Sequence, residues 1–373
     1  MNGVVLDCWL MVQTVRQGIY QRVGSEVCAM ASIHDVARVA GVSISTVSYA
    51  LSGKRSIAAS TRLRVLDAVE SLGYRPNAGA RMLAGTRTNI FALTAPFHAD
   101  TYAPAHMAFV LAVAQAAREH DYDVLLLTQD EATNGLRRVA SSSLVDGIIV
   151  LDVAGDDDRV AVIRELGVPA TFIGIPRDAA GLVCVDLDFE AAAALAVEKL
   201  VAAGHRSIGL IGHSPGVYAR GSNFPPRFRD GFFAAAAAHG IETAFVMPER
   251  DGPSVRVALD ALFAERPDMT ALVLHAEESI HTAVLDVLRE RGLRVPQDLS
   301  VLAACASFET DRFEPPLDTI PLVAADSCWR AVTLAIEQVS GPIEPRIELV
   351  PPRFYERGSI APPPDRPLAP ARS

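Results

Sequence analysis

IHDVARVAGVSISTVSYALSGKR, residues 33–55, decides the fold of the first part of the chain. Ile33, Val36, Ala37, Val39 and Ala40 recur at helical spacing. Ser32 stands ahead of them as a cap, and Asp35, three residues later, complements the positive end of the helix. Gly41 ends this helix and permits a sharp turn. Ser43 then caps a second helix, expected over 44–51, that turns Val47, Ala50 and Leu51 inward. Two short helices about a tight glycine turn make a helix-turn-helix, whose second helix enters the major groove of DNA. A third helix, over 60–72, is expected to pack Leu63, Leu66 and Val69 behind them until Gly73 stops it. Ala58 offers no capping oxygen, so Ser60 is expected to cap this helix late.

The outward face of the second helix carries Ile44, Ser45, Thr46, Ser48 and Tyr49. Short side chains let a helix approach base edges, and hydroxyls bond bases or phosphates. Residues 32–88 hold eight cations, Arg38, Lys54, Arg55, Arg62, Arg64, Arg75, Arg81 and Arg87, against Asp35, Asp67 and Glu70. The whole chain has a net charge of -10, so a small cationic unit precedes a large acidic one. Such polarity suits binding a polyanion with one end only.

At 373 residues the chain is long enough for two or three domains. Half of the residues are hydrophobic, yet the longest apolar runs, such as AAAALAV (191–197), fall well short of the ~18 residues a membrane helix needs. The first thirty residues lack a basic start and place Asp7, Gln13, Arg16, Gln17 and Arg22 among apolar positions, unlike a secretory signal. Either Met30 is the true start or residues 1–29 are an accessory extension, and a cytoplasmic location is expected. Cys8, Cys28, Cys184, Cys305 and Cys328 form no C-x-x-C pair and have no metal-ligand spacing. They are expected to be small buried apolar residues, with no cofactor implied.

From Asn89 onward, short apolar runs alternate with helical patterns. NIFALTA, DVLLLT, DGIIVL, ATFIG, RSIGLIG, ALVL and LSVLAA read as buried parallel strands, and 105–120, 188–203, 253–266 and 277–291 as helices. The expected architecture is α/β with two sheets and a ligand between the lobes, beyond the carboxyl ends of the strands. GHSPG (212–216) fits a nucleophile elbow and raises a hydrolase alternative through Ser214. Chemistry argues against it, because the following residue must donate its backbone N–H to an oxyanion and Pro215 has none. Ser214 is expected instead as a loop residue at the cleft.

IHDVARVAGVSISTVSYALSGKR, continued by TRLRVLDAVESLGYRPNAGARMLAGTRT (61–88), closely resembles the DNA-binding and hinge region of the lactose repressor family of bacterial regulators. The resemblance extends more loosely through VDGIIVL (145–151), LVAAGHRSIGLIG (200–212), RDGF (229–232), RGLRVPQDLSVL (291–302) and PPLDTI (315–320) to a two-lobed domain similar to periplasmic sugar-binding proteins. It implies a helix-turn-helix domain over 32–76, a hinge helix and linker over 77–88, and an effector-binding and dimerisation domain over 89–360; residues 1–31 remain as an extension, and the proline density of 361–373 is expected to make a disordered tail. The implied major-groove positions are Ile44, Ser45 and Tyr49, and the backbone-contacting hydroxyls Ser32, Thr46, Ser48 and Thr61. Lys54 and Arg55 hold phosphates, Asn77 and Ala80 belong to the hinge helix, and Leu83 wedges into the minor groove.

Tyr49 stands where many members carry Arg, so the operator half-site is expected to differ at that base pair. In the effector domain Phe228 occupies a place often held by Arg, His275 and Ala276 replace Asn-Asp, and Cys305 and Ala306 replace a pair of Asp. The reconfigured site is expected to draw on Phe97, His98, Asp100, Tyr218, Arg227, Arg229 and His275. Three ligand outcomes stay open: a less polar molecule, a sugar held by other groups, or no ligand. The reading as a whole is a dimeric, sequence-specific repressor of a pseudo-palindromic operator in double-stranded DNA, modulated by a small molecule, without membrane or metal. A ligand-binding module without DNA regulation is the main alternative.

Overall fold

A computed structural model describes residues 31–52, 55–74, 87–128 and 133–364. The chain divides between Thr88 and Asn89 into two compact units.

The first unit holds α1 (Ile33–Ala40), α2 (Ile44–Ser52) and α3 (Ala59–Leu72). Ser32 and Asp35 close a reciprocal cap on α1: the Ser32 backbone N–H donates to Asp35 Oδ2 at 3.0 Å, and the Asp35 N–H donates to Ser32 Oγ at 3.4 Å. Gly41 leaves the helix at φ +63°, the left-handed conformation that a glycine adopts without strain. Ser43 Oγ accepts from the Thr46 N–H and opens α2. Val36, Val47 and Val65 are fully buried at the centre of the unit, with Ala37, Ala40, Ala50, Ala68 and Tyr74 around them.

Two expectations for α3 are corrected. Leu63 and Leu66 are 61% and 43% exposed, and the inward stripe is Val65, Ala68, Val69 and Leu72 instead. That stripe follows the i, i+3, i+4, i+7 rhythm of one helical face, and small Ala68 lets α1 and α3 approach. The helix also starts at Ala59 rather than at a Ser60 cap: Ala58 is its N-cap without a side-chain hydrogen bond, and its carbonyl accepts from the Thr61 and Arg62 N–H groups. The expected extension before residue 31, Lys54, the hinge positions Asn77, Ala80 and Leu83, and the tail beyond 364 lie outside the described residues.

The second unit contains two parallel sheets. The first comprises β1 (Ile90–Thr94), β2 (Asp123–Leu127), β3 (Gly147–Val150), β4 (Ala170–Ile173) and β5 (Val183–Leu187), interleaved with α4 (Ala103–Glu119), α5 (Asn134–Ser141) and α6 (Asp158–Leu166). The second comprises β6 (Ser207–Ile211), β7 (Glu242–Val246), β8 (Ala271–Leu274), β9 (Ser300–Ala306) and β10 (Asp318–Pro321). Its helices are α7 (Phe189–Ala203), α8 (Pro215–Ala219), α9 (Phe224–Ala238), α10 (Gly252–Glu265) and α11 (Glu278–Glu290). The chain then returns through α12 (Ala324–Ser340), which packs on the first sheet, and β11 (Arg346–Val350), which joins it. The strand orders are β11-β5-β4-β3-β1-β2 and β10-β9-β8-β6-β7.

Helices cover both faces of each sheet, which is why the central strands read as unbroken apolar runs. The lobes exchange chain three times: after β5, after β10, and after β11, where Tyr355 pairs with Thr319 and Ser359 accepts from the Asp318 N–H. Between α7 and α9 the contact is close enough that a Cβ on Gly231 would meet Glu190 Cα at 2.9 Å. That glycine lets α9 lie against α7 and brings its first turns to the cleft. Among the described residues no helix is long and apolar enough to cross a membrane.

Candidate functional site

Two surfaces carry the chemistry. On the first unit, α2 turns Ile44, Ser45 and Tyr49 outward while Val47 and Ala50 anchor its inner face. Thr46, Ser48 and Thr61 are half-buried. Ser43 Oγ lies 2.8 Å from both Ser45 Oγ and Thr46 Oγ1, so these hydroxyls form one local network at the start of α2. Ser32 Oγ is engaged by Asp35 Oδ2 at 2.7 Å and serves the α1 cap. The Arg55 guanidinium sits over the Tyr49 ring at 5.9 Å, which places a cation beside the residue expected to vary the base code.

On the second unit, a cleft between the lobes encloses about 160 Å³. One water needs about 10–15 Å³ of such free space, so a molecule of roughly a dozen non-hydrogen atoms fills it, the size of a monosaccharide. The first lobe contributes Asp100, Tyr102, His106, Phe109, Asp152 and Asp186; the second contributes Phe189, His213, Arg220, Asn223, Phe224, Arg250, His275, Glu277 and Cys305. These side chains project from strand ends and the loops that follow, as expected for an α/β cleft.

Ion pairs bridge the two walls. Arg220 Nη1 lies 3.1 Å from Asp152 Oδ2, and its Nε faces Asp100 Oδ2 at 3.3 Å. Arg250 Nη2 donates to Glu277 Oε1 at 2.8 Å and to the Asp100 carbonyl. Tyr102 Oη donates to Glu278 Oε2 at 2.9 Å, and Asn223 Nδ2 donates to the Ile175 carbonyl. The backbone joins in where the Gly155 N–H donates to the Gly221 carbonyl at 2.8 Å. The lobes are therefore closed on each other by polar contacts contributed from both sides.

The titratable groups divide by environment. Burial pushes His275 well below the usual imidazole range, so the ring is neutral; it stacks on Phe228 with centroids 4.0 Å apart. Burial likewise lowers His106. Glu277 is buried, which opposes its charge, but the His213 hydrogen bond and the Arg250 guanidinium outweigh this and hold its carboxyl at about 2. Burial raises Asp186, to about 7, against the opposing pull of Arg227 at 2.6 Å. Glu277 Oε2, His275 Nε2 and His106 Nε2 are buried without a hydrogen-bond partner. Such orphaned groups are costly and mark where a ligand would bond. Cys305 contributes its wall position from a left-handed backbone, φ +51°.

Of the seven effector candidates read from sequence, Asp100 and His275 line the cleft. Arg227 stands one layer back, holding Asp186 and, at 2.7 Å, Glu190. Arg229 pairs with neighbouring Asp230, Phe97 packs edge-on against His106, and the Tyr218 hydroxyl lies close over Gly212. The His98 N–H donates to Thr101 Oγ1, and none of these five residues lines the cleft. Ser214, expected at the cleft, is buried at the N-terminus of α8 and does not line it, because Pro215 starts the helix and turns the chain away. Sequence reasoning missed Asp152, Asp186, His213, Arg220, Arg250 and Glu277. Their only signal was position, each being at or just after a strand end or in the connection that follows it.

Comparison with known proteins agrees with both surfaces. Residues 32–77 match the family described as bacterial regulatory proteins, lacI family, and residues 197–360 match the periplasmic binding protein-like domain. The HTH-type transcriptional regulator AglR of Rhizobium meliloti (strain 1021) is 28% identical over 351 residues, 90% of this chain and 96% of that protein. The HTH-type transcriptional regulator CelR of Thermobifida fusca is 28% identical over 326 residues, covering 84% and 94%. Among solved structures, a complex of the transcriptional regulator CelR with cellobiose aligns at a TM-score of 0.60 and 25% identity, over 88% of this chain and 99% of that one. The lac repressor dimer bound to operator and the anti-inducer ONPF shares the fold at a TM-score of 0.73 and 24% identity, over 89% and 99%.

Proposed function

Because the chain belongs to the lacI family of bacterial regulatory proteins and is a DNA-binding transcriptional regulator, we propose that it represses transcription as a dimer on a pseudo-palindromic operator under control of a sugar-like effector. The observation that carries this reading is the pairing, in one chain, of an α2 face bearing Ile44, Ser45 and Tyr49 with an interlobe cleft that buries unpartnered polar atoms. Ser45 and Tyr49 read base edges; Ser32, Thr46, Ser48 and Thr61 belong to the backbone-facing set, with Lys54 and Arg55 neutralising phosphates. Asn77, Ala80 and Leu83 supply the minor-groove contact. The similar solved structure of a regulator in complex with cellobiose supports the effector class. Control follows from linkage: a ligand that favours one lobe arrangement biases the DNA-competent dimer by its differential affinity for the two states. The protein acts in the cytoplasm by binding rather than by catalysis.

Selection of random duplexes by the purified protein tests this. An enriched inverted repeat, bound with an affinity that falls steeply with salt, is the expected result. Absence of any enriched sequence, with or without candidate effectors, would overturn the operator reading.

A further inference from the structure

Resting on the reading of the cleft as an effector site, we propose that its effector is a cation: a primary amine of monosaccharide size carrying several hydroxyls, an amino sugar in chemical class. Four carboxylates line the cleft, Asp100, Asp152, Asp186 and Glu277, against two guanidinium groups, Arg220 and Arg250. Burial raises Asp186 to about 7, so it is only partly charged at neutral pH; the cation behind it, Arg227, is matched by Glu190, and the lining carboxylates exceed the lining arginines by between one and two negative charges.

Both lining arginines are already engaged. Arg220 is shared between Asp100 and Asp152, and Arg250 between Glu277 and the Asp100 carbonyl. Arg220 Nε keeps only its 3.3 Å ion pair with Asp100 and makes no hydrogen bond, but both arginines already face carboxylates, so a ligand carboxylate or phosphate would enter a site already negative. A cation relieves that excess.

The place for its charge is Glu277. This side chain is 2% exposed, Oε1 takes Arg250 and His213, and Oε2 has no partner. An ionised carboxylate oxygen accepts only, so the ligand must bring a donor there. An ammonium brings three, with charge assistance that a hydroxyl lacks. His275, whose ring lies 4.8 Å from that of His213, is neutral and leaves Nε2 without a partner; a neutral imidazole does not repel an ammonium as an imidazolium would. Aromatic rings in the same walls, Tyr102 and Phe224 among them, receive the C–H face of a sugar ring and attract a nearby cation.

Titration calorimetry on the full chain at neutral pH decides the matter, using D-glucosamine, D-galactosamine and D-mannosamine, each beside its neutral parent sugar, its N-acetyl derivative and the corresponding uronate. At least one amine is expected to bind about tenfold or more tighter than its parent and its N-acetyl form. Glu277→Gln, which keeps shape and removes charge, is expected to shrink that preference below about threefold. Neutral sugars or uronates binding as tightly as the amines would overturn the cation inference while leaving the cleft as an effector site. Binding of none of these compounds, by a protein that still selects an operator, would overturn the inference and count against the effector reading as well. The comparison on the unsubstituted protein stands even if Glu277→Gln does not fold.

Discussion

Arg220, at the end of α8, crosses the cleft to Asp152, after β3, with Nη1 3.1 Å from Oδ2 and both side chains less than one-fifth exposed. This pair ties the two lobes directly, because Arg220 follows a helix of the second lobe and Asp152 a strand of the first. Arg220→Gln is expected to cost about 3 kcal/mol in the second unit, since it strands Asp152 and Asp100 in a half-buried wall. It should also raise the radius of gyration in X-ray scattering as the lobes part. A double mutant with Asp152→Asn should lose less than the sum of the single losses; strict additivity would mean that the pair does not hold the cleft.

Tyr49 is exposed on α2 and backed by Arg55, so its ring is free to meet a base edge. Tyr49→Ala is expected to relax selection at one base pair per half-site, by about 1–3 kcal/mol of discrimination, without altering the spacing of the half-sites. Sequencing the duplexes selected by each protein measures this. An unchanged preference would place the recognition residues elsewhere on the helix.

Val65 is fully buried on α3, whereas Leu63 two residues earlier is 61% exposed. Val65→Ala should destabilise the first unit by on the order of 2 kcal/mol, combining lost burial with a small cavity. Leu63→Gln should change it by less than about 0.5 kcal/mol. Thermal unfolding of the two variants distinguishes them, and a larger loss for Leu63→Gln would reverse the assignment of the buried face.

Two fully buried histidines make the second unit acid-sensitive. Burial lowers His205, held between Thr270 and Ser300, and His281, behind Glu277, each to about 4. Between pH 6.5 and 4 the unfolded chain therefore binds protons that the folded one does not, and stability falls as pH falls through that window. Each contributes on the order of 2 kcal/mol of loss between pH 8 and pH 5. His205→Gln should flatten the decline measured by denaturant unfolding at a series of pH values; an unchanged slope would show that His205 is protonated in the folded state.

The opening helices show how much a sequence alone can determine. Ser32, Asp35, Gly41 and Ser43 act within three or four residues of themselves, so caps and turn were legible from spacing. The central strands were legible for a different reason: helices on both faces leave continuous apolar runs. Strands β5, β7, β10 and β11 escaped because Asp186 interrupts one, polar edges thin two others, and Asp318 and Pro321 break the fourth. On α3 the choice between Leu63 with Leu66 and Val65 with Ala68 was made by the approach of α1, which favours small and branched side chains over long ones.

The cleft is the part that only the tertiary structure could decide. Phe228 and His275 stand 47 positions apart in the chain and looked like two unrelated losses of polar groups. Folded, one ring stacks on the other, and the pair forms a single neutral wall. Asp100, Asp152 and Glu277 likewise follow separate strands and Arg220 ends α8, and no local pattern links them. Their charges acquire meaning only when burial removes the water that would otherwise screen each one, a property of the assembled lobes rather than of any stretch of sequence.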